Sequence, residues 1–568
     1  MSLRHLALLA LVAGCSFGST EPLVPVANVC VDDFDCTRGV CDGEICIDDT
    51  NAFVEIAVEV VGPPADGTSS VPSSWAFTTE RFSGSNVRDW VLPATREVIG
   101  SVRWDGTPVP ASIRFVRRMP DAVRPLKAVP VTVDTARGAL ASDAASFDFS
   151  VSLVDGETYD VAILPTDDVV TSPAEASAPA IRSLPPIYLQ KAIRGGDPAD
   201  PIRLDVEFPS DLTERCTDTK TTGCTLEATI LAFDGETDAP EAGLQVRAVD
   251  KATGLVVSSI GETSETGTFA IRIGPNSPQY SIRVTSSLGR APFPSVSVDP
   301  DLLFSADSPT RVIRIPRLDP VQYSGRVRDE EGASVPGASV RFLSGGIFDG
   351  SQLGLVGSFT GSATTNEDGS FGVQLLPGLY SVVVTPPEED ESRWGVLAAE
   401  ALVVDDGGTE ETFIVPPKFE LVGGVTTFND ETAVGVTVLA RARQTAQYEM
   451  ANRSKEAVSE ADGIFRMQMD RGLYDMHVKI PEYTGYAWLV EPGLVMESNV
   501  LRNYHLSPPI PIEGVLFSSE SAPVPGAQLR AYILSREGSE SRLLQVAETT
   551  TDAEGKYRLL IAPRLGAL

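Results

Sequence analysis

A single hairpin, written several times, narrows the folds open to this chain more than its composition does. Thr364 to Pro387 reads TTNEDGSFGVQLLPGLYSVVVTPP. Asn366-Glu367-Asp368-Gly369 has tight-turn chemistry, because glycine supplies the positive φ that a hairpin turn demands. Beyond it Phe371, Val373 and Leu375 alternate with Gly372 and Gln374, the period of a half-buried strand. Leu376-Pro377-Gly378-Leu379 turns the chain again, and Tyr380, Val382 and Val384 open another alternating run that Pro386 and Pro387 end. Upstream, Gly325-Arg326-Val327 leads through DEEGASVPGA to a strand carrying Val340 and Phe342.

Each element has counterparts. Gly325-x-Val327 is echoed by Gly100-x-Val102, Ala228-x-Ile230, Gly423-x-Val425 and Gly514-x-Leu516. The second strand repeats as SIRF (Ser112 to Phe115), QVRA (Gln245 to Ala248), SVRF (Ser339 to Phe342), TVLA (Thr437 to Ala440) and QLRA (Gln528 to Ala531). Gly369-x-Phe371 repeats as Gly267-x-Phe269, Gly463-x-Phe465 and Gly555-x-Tyr557; Gly378-x-Tyr380 repeats as Gly472-x-Tyr474 and, more loosely, from Gly156 to Tyr159. A period of roughly 95 residues is the size of one sandwich domain. At 568 residues the chain is too long for one core, and 42% hydrophobic content excludes a disordered polymer.

The set G-x-V, P-G-A-x-V, D-G-x-F and P-G-x-Y resembles the carboxypeptidase regulatory-like domain, a transthyretin-like β-sandwich of about seven strands. The resemblance implies an all-β chain of tandem Greek-key sandwiches with modules at 96–210, 225–317, 318–417, 418–509 and 510–568. A β segment at 51–95 precedes them and a disulfide loop at 211–224 separates the first two. Gly369, Gly378, Gly463, Gly472 and Gly555 are read as turn-forming. The fifth copy lacks the P-G-x-Y hairpin and its last strand, and so reads as incomplete. Strands end on prolines at Pro316, Pro417 and Pro509, which stiffen the junctions and predict a string of semi-rigid links, about 180 Å long if straight.

The N-terminus opens MSLRH, runs apolar from Leu6 to Val12 and meets Val12-Ala13-Gly14-Cys15. That run is far shorter than the roughly 20 residues a spanning helix needs and reads as a secretory leader. The tetrapeptide resembles the lipobox of bacterial lipoproteins. The resemblance implies a signal peptide at 1–14, acylation of Cys15, a tether at 15–29 and the lipid bilayer as partner. By the same resemblance, Ser16 rather than Asp after the cysteine implies the passage to the outer membrane that it favours in some bacteria. In an exported chain the other cysteines read as disulfides. Cys30, Cys36, Cys41 and Cys46 fall in a segment at 30–48, with Cys30–Cys41 and Cys36–Cys46 the preferred pairing, and Cys216 faces Cys224 across CTDTKTTGC. Asp33, Asp35, Thr37 and Glu44 sit at offsets resembling a calcium loop, but Arg38 stands where its turn glycine belongs.

The balance of 45 Lys and Arg against 78 Asp and Glu gives a net charge of −33, which repels nucleic acid. A peptidase needs clustered metal ligands, and beyond the leader the only histidines are His477 and His505, neither in a His-x-x-Glu pair. His477, beside Tyr474, Met476 and Val478, is expected to point away from the sheet. No catalytic residue, metal or cofactor is implied, calcium at acidic loops such as Glu388 to Glu391 or Asp405-Asp406 being the exception considered. Tyr483, Tyr486 and Trp488 are the candidate ligand-binding aromatics. The expected role is a membrane-anchored, extracytoplasmic structural or interaction element of the cell envelope, stalk-like or adhesion-like. The alternatives are a polysaccharide- or protein-binding module using loops at sandwich ends and, more remotely, an accessory to a peptidase.

Overall fold

The computed structural model describes residues 40–42, 45–47 and, loops apart, 53–563; 119–130, 135–148 and 167–183 are the longest internal stretches outside that description. The described chain is built almost wholly of strands. The third module displays the plan. Its first strand, Val321–Asp329, lies between Ser370–Leu375, antiparallel, and the last strand Glu410–Val415, parallel. The facing sheet runs Thr360–Thr364, Ser339–Ile347, Gly378–Thr385, Leu397–Val404, all antiparallel. The alternating residues seen in the sequence fill the space between the sheets: Tyr323, Val327, Val340, Phe342, Phe371, Val373, Tyr380, Val382 and Phe413 form one core cluster.

The same seven-position plan recurs around the first strands Thr95–Trp104, Thr225–Phe233 and Phe419–Thr426, each with a parallel last strand beside it. Where that strand carries the signature glycine, which Ala228 replaces in the second module, the glycine has a packing cause. A Cβ on Gly100 would meet the Leu204 carbonyl oxygen at 1.9 Å, one on Gly325 that of Glu411 at 2.7 Å, and one on Gly423 that of Arg502 at 1.7 Å. The glycine lets the last strand lie flush, a demand of close backbone approach rather than of a turn.

Residues 510–561 are not an incomplete module. Their first strand, Ile510–Phe517, pairs parallel with Asn86–Val87 and Trp90–Val91. Their second strand, Gln528–Glu537, pairs on one side with Glu540–Thr550 and on the other with Phe53–Val61, which in turn pairs with Ser74–Ala76 and Glu80–Ser83. The N-terminal β segment thus supplies every strand position that the C-terminal segment lacks. Val54, Ile56, Val58, Val60, Phe82, Trp90 and Leu92 enter one core with Ile512, Leu516, Leu529, Val546, Tyr557 and Leu559. At about 2 kcal/mol for each buried apolar side chain, the seven upstream residues contribute on the order of 10 kcal/mol.

This completion overturns the in-line string. Only Leu92, Pro93 and Ala94 separate the last strand of the two-segment module from Thr95, where the first module begins. The path therefore runs through modules one to four and returns to its start. A straight rod would hold the first and fifth modules about 140 Å apart, at about 35 Å a step, so it cannot form these sheets. Each junction in the circuit carries contacts. Arg117 of module one stacks its guanidinium 4.5 Å from the Trp75 ring of the two-segment module, and Arg272 of module two does the same over Trp104 of module one. The Tyr188 hydroxyl donates to the Val256 carbonyl at 3.1 Å across the same one-to-two junction. Ser295 and Ser358 exchange backbone hydrogen bonds of 2.7 and 2.8 Å between modules two and three.

Candidate functional site

Buried ion pairs fasten module four to module three on one side and to module five on another. Asp470 closes the strand Ile464–Met469 of module four and is 1% exposed. Arg453 grips it with Nε to Oδ2 at 2.9 Å, Nη2 to Oδ1 at 2.7 Å and its backbone N–H to Oδ2 at 3.1 Å. The same guanidinium crosses to module three, donating to the carbonyls of Pro386 at 3.1 Å and Trp394 at 3.2 Å, while the Val396 N–H donates back to Asp470 at 3.2 Å. Asp329 fixes the far side of this bridge, accepting from Arg393 at 2.7 Å and from the Trp394 indole at 3.2 Å. Lys455 pairs with Glu388 beside it, so at least this member of the acidic run serves the junction.

Asp475, on the strand Gly472–Lys479, makes the equivalent link to the fifth module. Its carboxylate takes both Arg542 Nη1 and Nη2, the latter at 3.0 Å, and accepts the Gly493 N–H at 3.1 Å. Arg443 stands 3.9 Å away. Val490 of module four is buried inside the fifth module's core cluster, and Ala487 packs with Leu560 and Ala562. His477 lies in this contact. It points out of its own sandwich, as strand alternation requires, but not to solvent: it is 2% exposed and meets the Gln545 backbone. Burial, aided by the nearby Arg441 and Lys479 charges, pushes its pKa down to about 4. His505 instead meets the Thr426 hydroxyl at 3.1 Å through Nδ1.

Cys15, Cys30, Cys36 and Tyr483 lie outside the described residues. Cys41 and Cys46 stand directly opposite each other in the hairpin of Val40–Asp42 with Ile45–Ile47. Cys216 and Cys224 are joined by a disulfide, and both belong to the second module's core cluster rather than to a separate loop. Gly369, Gly463 and Gly555 have φ of +76°, +74° and +73°. Gly378 and Gly472 do not share that conformation. They open the strands Gly378–Thr385 and Gly472–Lys479, and a Cβ on Gly378 would strike the Gly346 carbonyl oxygen at 2.6 Å. The tyrosines that follow, Tyr380 and Tyr474, hold the turn by donating their hydroxyls to Leu376 O at 2.7 Å and Asp470 O at 2.9 Å. Tyr486 and Trp488 are half-buried against the fourth module's core, Tyr486 beside the exposed Phe428 and Trp488 under the Lys479 ammonium at 4.5 Å.

The closing contact was missed in the sequence, and two signals for it stand there. Gly514 keeps the signature glycine, and a Cβ on it would meet the Arg88 carbonyl oxygen at 2.0 Å. Arg88-Asp89-Trp90-Val91-Leu92 is the counterpart of Arg502-Asn503-Tyr504-His505-Leu506. Asp89 accepts the Val515 N–H at 2.8 Å as Asn503 accepts that of Gly424 at 2.9 Å. Trp90 stacks on Tyr557 at 5.0 Å as Tyr504 stacks on Phe465 at 5.9 Å. Leu92 and Leu506 then donate their N–H groups to Phe517 O and Thr426 O, both at 2.8 Å.

No family model and no curated protein matches the chain. Among solved structures it is similar to a streptococcal ancillary pilin, with 12% identity over 50% of this chain and 100% of the pilin and a TM-score of 0.20. It is also similar to GBS52, the minor pilin of Streptococcus agalactiae, with 15% identity over 33% of this chain and 96% of that one and a TM-score of 0.21. BcpA, the major pilin subunit of Bacillus cereus, gives 9% identity over 50% and 99% and a TM-score of 0.15. Scores this low give no guide to what the chain does.

Proposed function

We propose that the protein is an extracytoplasmic structural or interaction element of the cell envelope, held to the outer membrane through acylated Cys15, and not an enzyme. The observation that carries this reading is where the buried charge goes. Asp470, Asp475 and Arg453 are side chains that an enzyme would aim into a cleft, and here they fasten one sandwich to the next. A buried carboxylate saturated by guanidinium and backbone N–H donors has no lone pair or proton to offer a substrate, but it fixes the angle between two bodies. A frame of fixed angles is suited to presenting loops or spanning a gap. The partner is an envelope protein or polysaccharide, met by the outer surface of the frame.

The anchor is tested with Cys15→Ser. The reading expects an unprocessed precursor without acyl chains that partitions into the aqueous phase of a detergent extraction. Normal maturation and detergent-phase partitioning of that variant would overturn the lipid anchor. A substrate turned over by the purified chain, lost on Asp470→Asn or Asp475→Asn, would overturn the structural role.

A further inference from the structure

The contact that closes the chain joins Phe53–Val61 and Asn86–Leu92 to residues 510–561 through sheet pairing and a shared core. That contact cannot distinguish the chain's own N-terminal segment from another copy's. We propose that a second copy of this chain is the alternative partner of 510–561, its residues 53–92 entering the same sheets and joining chains head to tail by strand exchange. The proposal stands apart from the envelope reading.

Three observations carry it. First, the acceptor cannot stay empty: without the donor, Gln528–Tyr532 and Ile510–Phe517 become open sheet edges, and Ile512, Leu516, Leu529 and Tyr557 lose the cover of Val54, Ile56, Val58, Val60 and Trp90. Second, the donor is built to seat there: Gly514 leaves room for the Arg88 carbonyl, Asp89 caps the Val515 N–H, and Trp90 slots between Phe77 and Tyr557 at 5.5 and 5.0 Å. Third, donor and acceptor are joined only through four whole modules, so closing within one chain requires every junction angle in the circuit to be right at once. Exchange between copies makes the same hydrogen bonds and core contacts, and releases that requirement at the cost of bringing two chains together. The choice is then set by the effective concentration of the chain's own donor against the free concentration of others. Each exchanged donor carries its own module one with it, since three residues separate them, so the product is a two-fold dimer or a longer head-to-tail chain.

The experiment uses the full, unlipidated chain carrying Val58→Cys and Ala531→Cys, which face each other in the paired strands. Isotope-labelled and unlabelled preparations are unfolded together with native disulfides intact, refolded over a hundredfold range of concentration, oxidised, and sized with mass detection. Dilute refolding is expected to give a monomer with an internal crosslink. Concentrated refolding is expected to give mixed-isotope dimers and larger species that persist on dilution and remain covalent on a non-reducing denaturing gel. A monomer at every concentration would overturn the proposal. So would oligomers that dissociate on dilution, or oligomers whose added cysteines crosslink only within one chain. Gly514→Val, which blocks the Arg88 seat, is expected to abolish the dilution-resistant species; their undiminished formation in that variant would also refute it.

Discussion

Asp470→Ala is expected to loosen the junction of modules three and four by about 3 to 5 kcal/mol. The figure is that for stripping one partner from a buried ion pair, because it leaves the other charge uncompensated. It needs no discount for solvent screening, since the side chains of Asp470 and Arg453 are 1% and 12% exposed. The variant deletes three hydrogen bonds from Arg453 and the one from the Val396 N–H, leaving the guanidinium only the Pro386 and Trp394 carbonyls. Asp470→Asn keeps one acceptor oxygen and is expected to cost about half as much. Global unfolding of a multi-module chain is not two-state, so native-state hydrogen exchange is the appropriate assay. The Val396 amide and the strand Ile464–Met469 should lose protection, while the second module should not. Loss below 1 kcal/mol, or equal loss in every module, would refute the reasoning that this pair locks one specific junction.

Two further outcomes follow from the junctions and turns. His477 has its pKa lowered in the fold to about 4 from 6.5, so the folded state resists a proton that the separated state accepts; stability is full above pH 6.5 and falls by up to about 3 kcal/mol as pH drops towards 4. Crosslinking between modules four and five should therefore fall over that window in the native chain, and His477→Leu should flatten the profile. Gly369→Val forces a β-branched residue to a φ of +76° with its Cβ 2.5 Å from the Val327 carbonyl oxygen, a strain of about 3 kcal/mol or more, and limited proteolysis should show damage confined to module three.

Local pattern carried much of this architecture. The D-G-x-F turn and the alternation through Phe371, Val373 and Leu375 are short-range signals, and short-range signals set strand existence and face. The pairing of Val58 with Ala531 is not short-range. Strand pairing depends on complementary edges that can lie anywhere in the chain, so the strand positions that 510–561 lacks read as an incomplete module although residues 53–92 supply them. Gly514 marked the missing partner, because its counterparts Gly100, Gly325 and Gly423 each have the backbone of a parallel last strand against them. The counterpart motif was disguised by Asp89 in place of Asn503 and Trp90 in place of Tyr504, exchanges that keep the acceptor and the stacking ring. The burial of His477 was hidden for a related reason: alternation shows which face of its own sheet a residue takes, but not whether a neighbouring module covers that face.

The central claim is that residues 53–92 and 510–561 form one sandwich and so bring the two ends of the described chain together. The direct test is an intramolecular distance between spin labels at the exposed positions Glu55 and Lys556, introduced as cysteines and measured in dilute monomer. A closed chain places both labels on one sandwich and predicts a single separation below about 40 Å. A chain of modules in line would put them beyond about 100 Å, and a distribution at or past the limit of the measurement would contradict the closure.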